Sequence, residues 1–159
     1  MSRLPEVAER FDEAAARWMA RHGILALRLS LGLVFVWFGA LKFFPGLSPA
    51  QTLAADTIAK LSFGLVPATT ALPVLAAWEV AIGLGLLSGV AMRFTLLLLW
   101  TQMLGTVTPL LFFPELCFTH VPYAPTLEGQ YIIKNLVLVS AGLVIGATVR
   151  GGRLDSRRV

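Results

Sequence analysis

The sequence predicts an all-α integral membrane protein: a four-transmembrane-helix bundle with an N-terminal amphipathic interfacial helix and a short helix in the first outer loop. Three observations lead there. Only 14% of the 159 residues are charged, 57% are hydrophobic, and the mean hydropathy is +0.77; a soluble domain of this length carries about 25% charged residues. Four segments have the roughly 20 mainly apolar residues that cross a ~30 Å hydrocarbon core. No stretch alternates polar and apolar residues over some ten positions, as a transmembrane β-strand would.

The elements follow in order. Residues 1–22 form a cytoplasmic amphipathic helix in which Leu4, Val7, Phe11 and Trp18 recur at near-helical spacing, flanked by Arg10, Arg17 and Arg21. Such a helix lies in the membrane interface with its aromatic residues at headgroup depth; docking to a partner is the other reading. Residues 23–149 form the membrane domain. Its first span, Gly23–Phe44, lies behind a charged segment and ends in the bulky "LKFF", unlike a cleaved signal peptide. Ser48 and Gln51 have capping-box spacing and Pro49 suits a first helical turn, so a short helix is expected over 49–62. The second and third spans are Ala71–Gly89 and Arg93–Phe113. Pro114, Pro122 and Pro125 are expected to break any helix in the loop that follows, leaving a lid over the bundle. The fourth span is Leu127–Val149, and residues 150–159 are a basic cytoplasmic tail.

Basic residues set the expected orientation. Arg3, Arg10, Arg17, Arg21, Arg93, Arg150, Arg153, Arg157 and Arg158 lie on one side of the spans, whereas the other side has only Lys42 and Lys60. Nine against two places both termini in the cytoplasm of a multi-pass inner-membrane protein. The net charge of +4 is then topological, and nucleic acid is not an expected partner. The basic tails suit anionic headgroups.

Several chemistries are excluded. Cys117 is the single cysteine, so dithiol exchange within the chain is impossible. Cys117 and His120 have C-x-x-H spacing with Glu115 nearby, but a structural zinc site needs four ligands; the expectation is an exposed thiol, a solvated histidine and no metal. No histidine falls within a span, which removes a bis-histidine haem. Neither a phosphate-binding P-loop nor a dinucleotide fingerprint is present.

The candidate site is a set of polar residues inside the spans: Arg28, Lys42, Glu79, Gln102, Lys134 and Asn135. Ionisable groups in a membrane are costly and usually face a bundle interior or cavity. Arg28, Gly32, Phe35, Gly39 and Lys42 fall on one helical face. Ala76, Glu79 and Gly83 share another, Thr95, Gln102, Thr106 and Pro109 a third, and Tyr131, Lys134, Leu138 and Ala141 a fourth. At ~1.5 Å per residue, Glu79 and Lys134 lie roughly 12 and 10 Å below the outer surface. Glu79 is therefore expected to pair with Lys134, with Gln102 nearby and Lys42 able to reach down from the surface. The resulting seam either orients the helices or receives a polar head group or a proton.

The segments "LRLSLGLVFVWFGALKFFPG" (27–46), "WEVAIGLGLL" (78–87), "TPLLF" (108–112) and "EGQYIIKNLVLVSAGLVI" (128–145) resemble the YkgB/RclC branch of the DoxX-like membrane proteins. The resemblance spans all four helices and omits the N-terminal helix and both outer loops. It implies a compact four-helix bundle in the bacterial cytoplasmic membrane. Wider members include a quinone-linked thiosulfate oxidoreductase subunit, and the RclC-like members are linked to resistance to reactive chlorine species. The positions it carries over are Arg28, Trp37, Gly39, Lys42, Glu79 and Lys134. Where that branch often has lysine followed by aspartate, this chain has Lys134–Asn135.

Three functional readings follow, in order. The first is a redox-associated subunit that binds a quinone-like or other amphiphilic ligand in the seam, since apolar walls with a few convergent polar groups suit such a ligand. It has no intrinsic cofactor beyond a bound quinone or lipid, and its electrons come from a soluble oxidoreductase. The second is a small transporter or permeation pathway, which at this size needs a homo-oligomer. The third is a structural assembly partner of an envelope complex. An enzyme and a non-catalytic subunit are both compatible with these residues.

Overall fold

The computed structural model describes residues 6–44, 46–48 and 51–152. Four long apolar helices are each long enough to cross a membrane: Ala8–Leu41, Thr69–Ser88, Met92–Phe112 and Leu127–Thr148. The first belongs to a 36-residue helix, α1 (Glu6–Leu41), which joins the expected interfacial helix and the first span without a break. Gly23 marks the expected junction, yet a single glycine costs a helix only about 1 kcal/mol, and good helix formers flank it. At ~1.5 Å per residue α1 is ~54 Å long, well beyond the ~30 Å apolar core. Its N-terminal part therefore projects past the bundle, with Phe11 and Trp18 exposed. Leu4 and the side chain of Val7 lie outside the described residues.

The expected loop helix is α2 (Gln51–Leu61). Its start differs in detail: the Gln51 side-chain oxygen accepts from the Gly46 backbone N–H at 2.9 Å, so it ties down the incoming chain five residues back. Pro49 lies outside the described residues. The second span is α3 (Ala68–Ser88), closed by Gly89 in the left-handed conformation at φ 74°, where glycine avoids the Cβ clash. The third span is broken near its end into α4 (Met92–Val107) and the single turn α5 (Pro109–Phe112). Pro109 brings no N–H and crowds the preceding turn, and the freed Gly105 carbonyl accepts from the Thr108 hydroxyl at 2.7 Å and its N–H at 3.2 Å.

The following loop is more ordered than its prolines suggest. Pro114 does not break a helix but begins one, α6 (Pro114–Cys117), because a missing N–H is harmless in a first turn. Strands β1 (Phe118–His120) and β2 (Ala124–Pro125) then form a small antiparallel hairpin. Thr126 caps the last helix, α7 (Leu127–Thr148), by accepting from the Gly129 N–H at 3.2 Å, and its own hydroxyl donates to the Leu116 carbonyl at 2.7 Å. The loop is thus tied to the helix it precedes.

The four spans close into a ring: α1 packs on α3, α3 on α4, α4 on α7 and α7 on α1, with α2 lying on α3. The α1–α3 interface is the most extensive and rests on backbone proximity. A Cβ added at Gly83 would stand 2.6 Å from the Val36 backbone nitrogen, and one at Gly32 would stand 3.0 Å from the Gly83 carbonyl. Small residues allow this close approach, which drives helix association where the hydrophobic effect is absent. The apolar core, including Leu31, Phe35, Ile82, Leu86, Leu99 and Ile145, occupies the Arg28 half of the bundle. The polar residues gather in the other half.

Candidate functional site: a buried triad and a lipid-facing groove

Glu79 is 8% exposed although it sits in the apolar middle of α3. Its carboxylate is fully engaged. The Lys42 ammonium donates to Oε2 at 2.6 Å, forming an ion pair, and the Gln102 amide donates to Oε1 at 2.7 Å. Lys42 also donates to the Phe38 carbonyl at 3.3 Å. Three helices, α1, α3 and α4, thereby meet at one carboxylate. Gly39 makes this possible: a Cβ there would stand 2.8 Å from the Glu79 Cβ, so α1 lies flush on α3 one turn before Lys42. The lysine stem then needs only to fold back.

The expected Glu79–Lys134 pair does not form. Lys134 is exposed, with its ammonium 5.7 Å from the Tyr131 ring centre and no carboxylate in ion-pair range among the described residues. The reason is not rotation about the helix axis: Lys134 shares its helical face with Leu138, Ala141 and Ile145, which pack in the core further along α7. At its own level that face of α7 is exposed, and Glu79 is already engaged by Lys42 and Gln102. The other three stripes fall as expected, with Gly32, Phe35 and Gly39 buried on α1, Ala76, Glu79 and Gly83 on α3, and Thr95, Gln102 and Pro109 inward on the third span.

Arg28 takes no part in the triad. It lies at the other end of the bundle, with its guanidinium against Gly89 and its Nε buried without a partner among the described residues. Six residues expected to share one seam therefore divide into Lys42, Glu79 and Gln102 together, Arg28 apart, Lys134 outside, and Asn135 on a different surface.

That surface is a groove of about 480 Å³ between α4 and α7, lined by residues including Trp100, Met103, Thr106, Asn135, Val139 and Leu143. Its walls are almost wholly apolar, with Asn135 and Thr106 toward the Lys42 end. Trp100 approaches α7 at Gly142, where an added Cβ would stand 3.0 Å from the indole Nε1. This N–H is buried and has no acceptor among the described residues, although a buried tryptophan N–H usually finds one. Trp78 does so, donating to the Leu98 carbonyl at 3.2 Å. Sequence reasoning missed the groove; its available signal was the G-x-x-x-G spacing of Gly142 and Gly146, which marks a face of close helix approach.

Residues 23–114, more than half of the chain, match the family model named DoxX. The chain belongs to the DoxX family. No curated protein and no solved structure matches it. As a DoxX-family protein with four apolar helices it is a small membrane protein. The matched region contains Arg28, Lys42, Glu79, Gln102 and Trp100 and ends before α7 begins.

The loop residues form no metal centre: no group of three His, Cys, Asp or Glu side chains comes together among the described residues. Cys117 is not an exposed thiol but is fully buried, with its sulfur donating to the Pro109 carbonyl at 3.5 Å. Burial first, then the charges of Glu128 and Glu115, push its pKa above the ordinary thiol range. His120 is solvated and stacks on Tyr123 at 5.9 Å. The thiolate is the reacting species, so Cys117 in the folded protein should react with a maleimide far more slowly than a free thiol at pH 7.5, and should catch up on denaturation. Equal rates before and after denaturation would contradict the buried placement.

Proposed function

We propose that this DoxX-family protein is a redox-associated subunit of the bacterial cytoplasmic membrane that holds a quinone-like amphiphile in the α4–α7 groove. The lining of the groove carries the reading: long apolar walls with a few polar groups suit a ligand with a carbonyl oxygen and a hydrocarbon body. Asn135 and Thr106 supply the polar contacts, and Trp100 contributes to the apolar wall. The polar seam first suggested by the sequence is a poorer receptor, because Glu79 is already occupied by Lys42 and Gln102.

With a single cysteine and no histidine in a span, the chain offers no thiol pair or haem ligands of its own, so a soluble oxidoreductase supplies the electrons. The projecting part of α1, with Phe11 77% and Trp18 62% exposed, is the docking element for that partner or for an envelope assembly. The motif resemblance to the YkgB/RclC branch favours a role in oxidative stress. The same surfaces would serve a homo-oligomeric permeation pathway, but the closed triad gives that alternative less support.

Asn135→Leu removes the groove's amide and keeps a side chain of similar length. Lipid extracts of the purified wild-type protein should contain quinone near stoichiometric amounts, and those of Asn135→Leu should contain several-fold less at equal folded yield. A wild-type extract with no more quinone than the surrounding membrane would refute the reading. The excess of arginines on one side of the spans supports a topology with both termini in the cytoplasm. A reporter fused after Val159 and active only in the periplasm should therefore be silent, and activity would reverse the orientation.

A further inference from the structure

At the Arg28 end of the bundle, an open pocket of about 440 Å³ lies among the turn from α3 to α4 and the end of α7, with Arg93 and Arg150 in its lining. These arginines are 57 positions apart in sequence (150 less 93) and are brought together by the fold. Gly89 is also in the wall, and the Arg28 guanidinium rests against it. Arg93 from the first turn of α4 and Arg150 from just past α7 thus line one pocket, with Arg28 behind its Gly89 wall. No carboxylate pairs with any of the three among the described residues.

A second feature of the pocket also favours an anion. The first turn of α4 faces it through Met92, Arg93 and Phe94, and the residue before that turn, Ala91, has no side chain to cap it. Its leading N–H groups carry the positive end of the helix dipole. A basic residue in a first helical turn opposes that dipole, so Arg93 adds to a positive field that nothing in the pocket offsets. Guanidinium groups match phosphate oxygens in pairs of parallel hydrogen bonds.

The pocket's position selects the source of that phosphate. Spans end at Ser88 and Thr148, and another begins at Met92, so Arg93 lies in the first turn of one apolar segment and Arg150 just beyond the end of another, at headgroup level. The remaining walls, Met92, Phe94 and Val149, are apolar and continue toward the acyl region. We propose that this pocket binds the phosphate group of an anionic membrane lipid, held by Arg93 and Arg150 over the N-terminus of α4. The site is separate from the α4–α7 groove and does not depend on the ligand assigned there.

The test uses the full chain in detergent with phosphatidylglycerol or phosphatidylcholine added, bound lipid being counted by native mass spectrometry. Wild-type protein should retain phosphatidylglycerol over phosphatidylcholine. Arg93→Gln with Arg150→Gln should lose about tenfold in phosphatidylglycerol affinity, the scale of one charge-assisted hydrogen bond. Arg10→Gln, Arg17→Gln and Arg21→Gln together remove more charge from the projecting helix and should change it less than about twofold. If the pocket double variant cannot be isolated folded, each single variant should show the loss by itself. Equal losses in the pocket and control variants would reduce the effect to diffuse charge and overturn the proposal. A parallel arm compares melting in inorganic phosphate and in chloride at matched ionic strength. Stabilisation by inorganic phosphate, lost in the pocket variant and without lipid retention, would overturn the lipid assignment in favour of free phosphate.

Discussion

The carboxylate of Glu79 sets the arrangement of the bundle's polar half. Taking an ion out of water costs several kcal/mol even after relaxation, and in hydrocarbon no solvent is present to substitute for a missing partner. Glu79 is kept in an apolar helix by a lysine at 2.6 Å and an amide at 2.7 Å, one on each oxygen. Each donor comes from a different helix, so satisfying the charge fixes α1 and α4 relative to α3. Such a pair contributes less to net stability than to choosing one packing among many, since misregistered helices would strand the charge.

The backbone contacts make this pairing geometrically possible. Gly32, Gly39 and Gly83 let α1 and α3 touch along their length, and Lys42 follows at the end of that contact. The helix on the far side of the bundle meets its neighbour differently. Gly142 and Gly146 admit the Trp100 ring and leave a groove toward Asn135. The same device, a glycine opposite a bulky group, thus makes a closed polar contact on one side and an open apolar groove on the other. Functional proposals follow that difference: the closed contact holds the bundle, and the open groove is available to a ligand.

The spans were legible in the sequence because hydropathy and length suffice to locate them. Stripes on α1, α3 and the third span were legible because each has a small or polar residue every three to four positions, and the structure buries those residues. The stripe on α7 was legible at Leu138 and Ala141, which pack in or on the core, but not at Tyr131 and Lys134, which are exposed. Depth alone matches Lys134 to Glu79; that α7 is open at that level and that Lys42 folds back onto the carboxylate are visible only in the packing. Continuity through Gly23 was misread because composition changes there while helix propensity does not. Cys117 reads as exposed because its segment is a proline- and aromatic-rich loop, whereas its burial comes from that loop folding onto α7. The pocket at the other end brings Arg93 and Arg150 together, a juxtaposition invisible without the ring order of the helices.

The most direct measurement of the central claim is a double-mutant cycle on thermal stability in detergent with Glu79→Gln and Lys42→Met, run beside a second cycle with Glu79→Gln and Lys134→Met. Breaking a buried pair costs about 3–5 kcal/mol in soluble proteins and less where other polar groups can substitute in a membrane. The account expects each of Glu79→Gln and Lys42→Met to lower stability, and their combination to lose clearly less than the sum. Lys134→Met should have a small effect, additive with Glu79→Gln to within about 0.5 kcal/mol. Additive losses for Lys42 and Glu79, or coupling between Lys134 and Glu79, would contradict it.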